Sequence, residues 1–326
     1  MTIVPREGSP ALHSAALEGR ATAPTASPDG VRCVLCDGAG RLLHASCRDF
    51  EYFMTSDASL YRCASCSLVF LHPLPTREAL PDLYPAHYRN FKKDHGRISR
   101  FLFDRYYGRQ AARCARYLKR DSAFLEVGCA DGRVLSSLRR RGFENVRGIE
   151  IAAAGVEAAR EKGLDVFHGA LEDFETDERF DMIFMSHVIE HVLDPVATIE
   201  RIAALLKPDG VVYIETPNVS SLDARLWGGH WGLIHYPRHL WLFDPTTLRA
   251  LVEGAGLRVE RESFELNSCG WALSIQSWLR GHGVDPSAAP RSFYYTPLLV
   301  ACMPLNVLDL FAGGTAFMSM IARNPG

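Results

Sequence analysis

Leu125-Glu126-Val127-Gly128-Cys129-Ala130-Asp131-Gly132 is the stretch on which the fold turns. It is an apolar run ending in small residues and followed by a helical pattern, so its backbone can approach a ligand at the start of the next helix. Around it, apolar runs over residues 123–127, 145–149, 164–168, 180–186 and 211–215 alternate with helical patterns over 133–141 and 152–162. That alternation predicts an α/β fold with a Rossmann-like, doubly wound sheet. Strands over 257–266 and 316–322 bring the expected sheet to seven, mostly parallel.

The second strand ends in Gly148-Ile149-Glu150, about 20 residues after the glycine turn, where a carboxylate can accept both hydroxyls of a ribose. The turn itself reads G-C-A-D-G and lacks the G-x-G-x-x-G spacing that seats a pyrophosphate. Glu126 and Asp131 would repel a phosphate there, whereas a sulfonium ligand carrying an ammonium group suits them.

Upstream, Cys33-Val34-Leu35-Cys36 and Cys63-Ala64-Ser65-Cys66 are two C-x-x-C knuckles with 26 residues between them. Two hairpin turns of this kind can bring four thiolates around Zn²⁺, so Cys33, Cys36, Cys63 and Cys66 are expected as ligands of a structural zinc. Four protein ligands leave no open position, and such a metal contributes about 10–16 kcal/mol to a module too small to fold alone. Cys47 reads as a spare.

At this point the chain resembles the class I S-adenosylmethionine-dependent methyltransferases over roughly residues 121–265 and, more loosely, 310–323. The motif from Glu126 to Gly132 and the acid Glu150 carry the resemblance. It implies that Gly128 and Gly132 make room for the methionine part of S-adenosylmethionine and that Glu150 holds the ribose. Ala130 stands where the commoner pattern has a glycine. After the third strand many members place an Asp beside glycine for the adenine amine; here Gly169 is followed by Ala170 and Leu171. The backbone at Leu171 or the carboxylates of Glu172 and Asp173 are the candidates for that contact. The fourth strand runs through Ser186 into His187-Val188-Ile189-Glu190-His191-Val192, an E-H-V segment often found in the family. Ligands of open α/β sheets sit beyond the carboxyl ends of the strands, which places Ser186, His187 and His191 at the mouth of the site.

Residues 227–243, WGGHWGLIHYPRHLWLF, read as a pocket wall dense in aromatics and histidines. Together with the two knuckles, Tyr84 and Tyr88, this segment resembles zinc-ribbon methyltransferases acting on sugars and secondary metabolites. Deoxysugar C-methyltransferases of that group carry a Glu-His pair where this chain has Arg238-His239, so only the histidine carries over. Methyl transfer is an in-line displacement in which positioning supplies most of the acceleration and a base only removes the acceptor's proton. His239, then His191, are the expected bases.

Composition bounds the rest. Residues 31–120 hold 16 Lys/Arg against 8 Asp/Glu, and residues 121–326 hold 18 against 27. The basic stretch 89–120 attracts anions or forms a solvated helix face. Residues 1–30 are expected to be a disordered tail, 31–75 the zinc ribbon, 76–120 a basic helical linker and 121–326 the catalytic domain. No secretory core follows the amino terminus, so the cytoplasm is the expected compartment. Within 121–326 an apolar insertion spans about 270–312; the run 293–311 has Asp309 as its sole charge, is broken by Pro297 and Pro304, and leaves room for peripheral contact with a membrane or a lipid-linked substrate. The expected function is methyl transfer to a hydroxyl, or a ring carbon, of a small-molecule acceptor such as a sugar, glycolipid or secondary metabolite. Nucleic acid is not the expected partner, since the catalytic half is acidic. The rival readings are an RNA methyltransferase gripping phosphates through the ribbon and basic stretch, and a non-catalytic binding protein. The oligomeric state is not legible.

Overall fold

The computed structural model describes residues 30–45, 47–84, 97–284 and 291–326. Tyr88, the amino-terminal tail as far as residue 29, and residues 89–96 of the basic stretch lie outside them.

The main sheet contains β4 (Phe124–Val127), β5 (Val146–Glu150), β6 (Asp165–His168), β7 (Phe180–Ser186), β8 (Leu206–Pro217), β10 (Arg258–Glu265) and β11 (Phe317–Arg323). Their order is β10-β11-β8-β7-β4-β5-β6, and β11 alone runs against the others. The expected seven-stranded, mostly parallel sheet is therefore present. Parallel strands covered on both faces must be apolar throughout, and all four residues of β4 are buried. The chain winds from β4 through β5 to β6, then crosses back to β7 beside β4, so the topological switch point opens at the carboxyl ends of β4 and β7.

Helices α2 (Arg133–Arg140) and α3 (Ala153–Arg160) follow β4 and β5. In α2, Val134, Leu135 and Leu138 turn to the core while Arg139 and Arg140 sit favourably at the negative end of the helix dipole. Two further helices start on carboxylate caps. Asp194 accepts from Val196 and Ala197 N–H ahead of α4 (Pro195–Leu205), and Asp244 forms a capping box with Thr247 ahead of α6 (Pro245–Gly254). Helix α1 (Arg97–Cys114) brings the basic stretch against α2.

Strands β1 (Gly40–His44), β2 (Ser59–Cys63) and β3 (Val69–His72) form an antiparallel meander that carries the cysteines. Its fourth strand comes from far along the chain: β9 (Trp241–Leu242) pairs with β3 through Val69↔Leu242 and Phe70↔Trp241. A buried ion pair fastens the same junction. Arg238 is 1% exposed, its Nη1 donates to Asp49 Oδ2 at 2.8 Å, and its guanidinium lies 4.7 Å from the centre of the Tyr52 ring. Tyr236 Oη, two residues earlier, lies 2.6 Å from Ser56 O and 2.8 Å from Ala58 O.

The apolar insertion folds as α7 (Cys269–Gly281), α8 (Arg291–Ala301) and α9 (Leu305–Phe311), after the short α5 (Leu222–Trp227). Asp309, the sole charge of 293–311, turns inward and accepts from Trp271 Nε1 at 2.8 Å. Val300, Met303, Val307, Leu308 and Phe311 are exposed. No described helix is long and apolar enough to cross a membrane.

Removing one partner of a buried ion pair strands a charge without water. Asp49→Asn is expected to lower stability by about 3–5 kcal/mol in denaturant unfolding, whereas Asp49→Leu combined with Arg238→Met should recover most of the loss. Equal losses in the single and double variants would show that the pair contributes no such penalty.

Candidate functional site

Three groups of side chains converge around the switch point and the junction. The first is the cysteine cluster, whose four Sγ atoms all lie within 4.8 Å of one another. Cys33 and Cys66 Sγ are 3.5 Å apart, and Cys36 and Cys63 Sγ are 3.4 Å apart. A tetrahedron with Zn–S bonds of about 2.3 Å has S···S edges of about 3.8 Å, so this donor set fits Zn²⁺ with small adjustments. The N–H groups of Ser65 and Cys66 both point at Cys63 Sγ. Burial opposes ionisation of Cys63, but these N–H groups and the neighbouring thiols outweigh it and bring its pKa down to about 7. Cys47 stands apart, its thiol pushed up to about 11 by burial.

The second group is the glycine turn after β4. Gly128 and Gly132 have φ of 73° and 72°. A Cβ on Gly128 would strike Val188 at 2.4 Å, and one on Gly132 would strike Leu164 at 2.2 Å, so the turn is packed to backbone contact. Ala130, also left-handed with φ of 48°, holds without a glycine's freedom the conformation for which the related pattern uses one. Glu150, at the end of β5, grips this turn. Its Oε2 accepts from Ala130 N–H at 2.8 Å and its Oε1 from Ala152 N–H at 2.7 Å, leaving lone pairs on both oxygens.

The charges in the turn differ from a plain reading of two free acids. Asp131 is paired with Arg133 at 3.1 Å and Lys162 at 2.9 Å, which blunts its repulsion of phosphate. Glu126 is buried, its Oε2 lacks a hydrogen bond, and burial pushes its pKa well above the usual carboxylate range. Leu171 is buried in a single 3-10 turn, Leu171–Asp173; Glu172 accepts from Thr198 Oγ1 at 3.0 Å and Asp173 pairs with Arg77.

The third group gathers at the end of β7. Beyond Ser186, His187 takes a strained φ of 56° and lays its ring between two buried carboxylates, Glu190 Oε1 at 3.4 Å and Glu215 Oε1 at 3.5 Å. Burial opposes a charge on His187, but the two carboxylates outweigh it and push its pKa up to about 10. Glu215 is held in turn by Gln110 Nε2 at 2.8 Å and Tyr106 Oη at 3.0 Å, both from α1. Glu190 accepts from Thr216 Oγ1 at 2.9 Å. His191 and His239 meet edge to face with ring centres 4.6 Å apart, and His235 lies 4.8 Å from His239. Tyr84 Oη approaches His191 Nδ1 at 3.1 Å. Burial lowers the pKa of both His191 and His239.

The structure thus brings His187, His191 and His239 together but turns Arg238 away from them into the ion pair with Asp49. Glu190 was read only as the acid of the E-H-V segment, with no role of its own, and Glu215, Gln110 and Tyr106 were not singled out in the sequence. A carboxylate closing the apolar run of β8 was a usable signal for Glu215; Gln110 and Tyr106, more than a hundred residues away, offered none. A separate open cavity of about 240 Å³ is lined by His44, Cys47, Arg48, Phe50, His230 and two glycines, where the cysteine module meets α7.

The model of a methyltransferase domain family matches residues 98–262, half of the chain. The chain belongs to this methyltransferase family. It is an S-adenosylmethionine-dependent enzyme of that kind. The match lies outside the cysteine cluster and the apolar insertion. Among its relatives, the ubiquinone biosynthesis O-methyltransferase of Cereibacter sphaeroides is 31% identical over 182 residues, 51% of this chain and 73% of that protein. Its counterpart in Rhodopseudomonas palustris is 31% identical over 165 residues, 46% of this chain and 65% of that one. The fold is shared with phosphoethanolamine N-methyltransferase 2 of Haemonchus contortus, solved with S-adenosyl-L-methionine, at a TM-score of 0.52 and 15% identity over 79% of this chain and 62% of that one.

Two expectations follow for the methyltransferase. Burial disfavours the ionised form of Glu126 and a cationic ligand favours it, so binding S-adenosylmethionine should be accompanied by proton release and tighten as pH rises above the ordinary carboxylate range. Calorimetry in buffers of different ionisation enthalpy checks this, and Glu126→Gln should flatten the dependence. Ala130→Gly should relieve the left-handed strain and raise stability by about 0.5–1 kcal/mol in chemical unfolding.

Proposed function

We propose that this methyltransferase transfers the methyl group of S-adenosylmethionine to an oxygen of a small-molecule acceptor, with His239 and His191 serving the loss of the acceptor's proton. When bound, the cofactor supplies a methyl group already activated on a sulfonium. The chain's own task is to align the acceptor and accept its proton. In this reading Gly128 and Gly132 accommodate the methionine part, the free lone pairs of Glu150 take the ribose hydroxyls, and Ser186, His187 and the backbone at Leu171 complete the cofactor side. Zn²⁺ on Cys33, Cys36, Cys63 and Cys66 is structural, holding the module from which Asp49 reaches Arg238.

One observation carries the assignment of the histidines. Each has its Nδ1 against a backbone carbonyl, His191 at 3.0 Å from Arg238 O and His239 at 2.8 Å from Leu233 O. A carbonyl oxygen cannot donate, so a hydrogen bond to it needs the hydrogen on Nδ1 and leaves Nε2 its lone pair, the arrangement this reading takes for both rings, with the Tyr84 hydroxyl as a second acceptor at His191 Nδ1. The printed names of the curated relatives, O-methyltransferases of ubiquinone biosynthesis, support an oxygen rather than a carbon as the atom methylated. The acceptor's class stays a sugar, glycolipid or other secondary metabolite in this reading, although Trp231, Tyr236, Trp241 and Phe243 of the 227–243 segment are buried in packing and do not form the aromatic pocket wall expected of it; the exposed apolar face of α8 and α9 suits a lipid-linked acceptor.

The test uses methyl-labelled S-adenosylmethionine with purified protein and host extract separated into small molecules, lipids, RNA and protein. Label is expected among the small molecules or lipids, with a rate about 10²–10⁴-fold lower for His239→Gln. Label in RNA would replace this reading with an RNA methyltransferase, and absence of label from every fraction would favour a non-catalytic binding protein.

A further inference from the structure

We infer that the open cavity where the cysteine module meets α7 is a binding site for a phosphoryl group, and that the acceptor is held through it. The cavity measures about 240 Å³. Its lining joins His44, at the end of β1, and Arg48 and Phe50, from the loop that follows, to His230, which lies just beyond α5. Nitrogen-bearing side chains from both halves of the molecule thus converge on one space. No carboxylate is among the lining residues. The two acids that flank Phe50 are turned elsewhere: Asp49 is in its ion pair with Arg238, and Glu51 lies 3.7 Å from His235 Nε2.

The walls are held by specific contacts. Arg280 of α7 donates to Phe50 O and so ties the loop to the helix. Gly281 lets the His230 ring lie against the helix backbone, since a Cβ there would meet His230 Cε1 at 2.5 Å. The same ring packs on Phe50, with centres 5.1 Å apart, and on His282 at 6.0 Å. His230 Nδ1 is buried and makes no hydrogen bond. A lone pair is tolerated in that state better than an unmet N–H, so the neutral ring carries its hydrogen on Nε2, as a donor. Arg62 stands close enough to His44 that its charge, after burial, lowers the histidine's pKa. The same positive potential attracts an anion.

A phosphoryl group offers three oxygens at tetrahedral angles, so it can accept from donors that converge from different sides, as His44, Arg48 and His230 do; a carboxylate offers two in one plane. The guanidinium fork of Arg48 suits such oxygens in bidentate fashion. The cavity is also joined to the proposed bases. Gly229 and His230 belong to the same run of short turns as Leu233, whose carbonyl lies 2.8 Å from His239 Nδ1. An acceptor fixed by its phosphoryl group is therefore fixed relative to His239. That the phosphoryl group belongs to the acceptor rests on the proposed function; its binding in the cavity does not.

Pyrophosphate alone, titrated into the full chain by calorimetry, tests the site. One equivalent is expected to bind. Arg48→Gln should weaken binding by about 10–100-fold, and so should Gly229→Leu, whose side chain would start 3.7 Å from His44 Nδ1 and fill the space between them. Arg261→Gln, at an exposed position on β10, should leave binding unchanged. In the wild type, pyrophosphate should shift the ring proton NMR signals of His44 and His230 and leave those of His168, on β6, in place. Absence of binding, equal weakening by Arg48→Gln and Arg261→Gln, or unmoved His44 and His230 signals would overturn the inference, the last even if a variant fails to fold. Labelled product from the extract assay should stay on an anion exchanger until phosphodiesterase and phosphatase release it; recovery in the aqueous phase identifies a soluble phosphoester, and in the organic phase a lipid headgroup. Pyrophosphate bound without methyl transfer would count against the proposed function and leave the site standing. Methyl transfer to a product without phosphate, with no pyrophosphate bound, would do the reverse.

Discussion

A guanidinium shut away from water must find a carboxylate, and Arg238 finds Asp49 across 189 residues of chain. Much of the site depends on that constraint. The backbone of Arg238 supplies the carbonyl that orients His191, its side chain anchors the cysteine-bearing module, and its successor is His239. With β9 completing the amino-terminal sheet three residues later, one short segment serves both halves of the molecule. The module is therefore part of the wall of the site and is not a detachable appendage.

The carboxylates at the strand ends divide into two kinds. Glu150 is satisfied by backbone N–H groups and is rigid, so it can hold a ligand without reorganising. Glu126 is buried with its Oε2 left without a hydrogen bond, and Glu190 and Glu215 flank the His187 ring. The charged His187 ring balances Glu190 and Glu215, whereas burial holds back the ionisation of Glu126 and a cationic ligand would favour it. The electrostatics of the switch point are thus those of a receptor for positive ligands, which is consistent with a sulfonium donor.

The fold was largely legible in the sequence because parallel strands buried on both faces leave continuous apolar runs, and the turn at Gly128 and Gly132 punctuates the first of them. The four cysteines were legible from their spacing, since a knuckle is a local structure. The histidines were half legible: their position after β7 and in the 227–243 segment could be read, but their facing each other could not. Arg238 read as a donor in a pocket wall, because nothing in the local sequence reveals a partner at Asp49. Glu215 with Gln110 and Tyr106 was likewise hidden, being a contact between a strand end and a helix that the basic stretch made to look like a solvated surface.

The late arrival of β9 has a consequence for how the chain is made. Strand β3 has an open edge until Trp241 and Leu242 have left the ribosome, long after the four cysteines have done so. The partner for the open edge of β3 therefore comes only after the strands β4 to β8 have been synthesised. The amino-terminal sheet thus depends on the catalytic domain for its last strand, and the order of synthesis supplies that strand late.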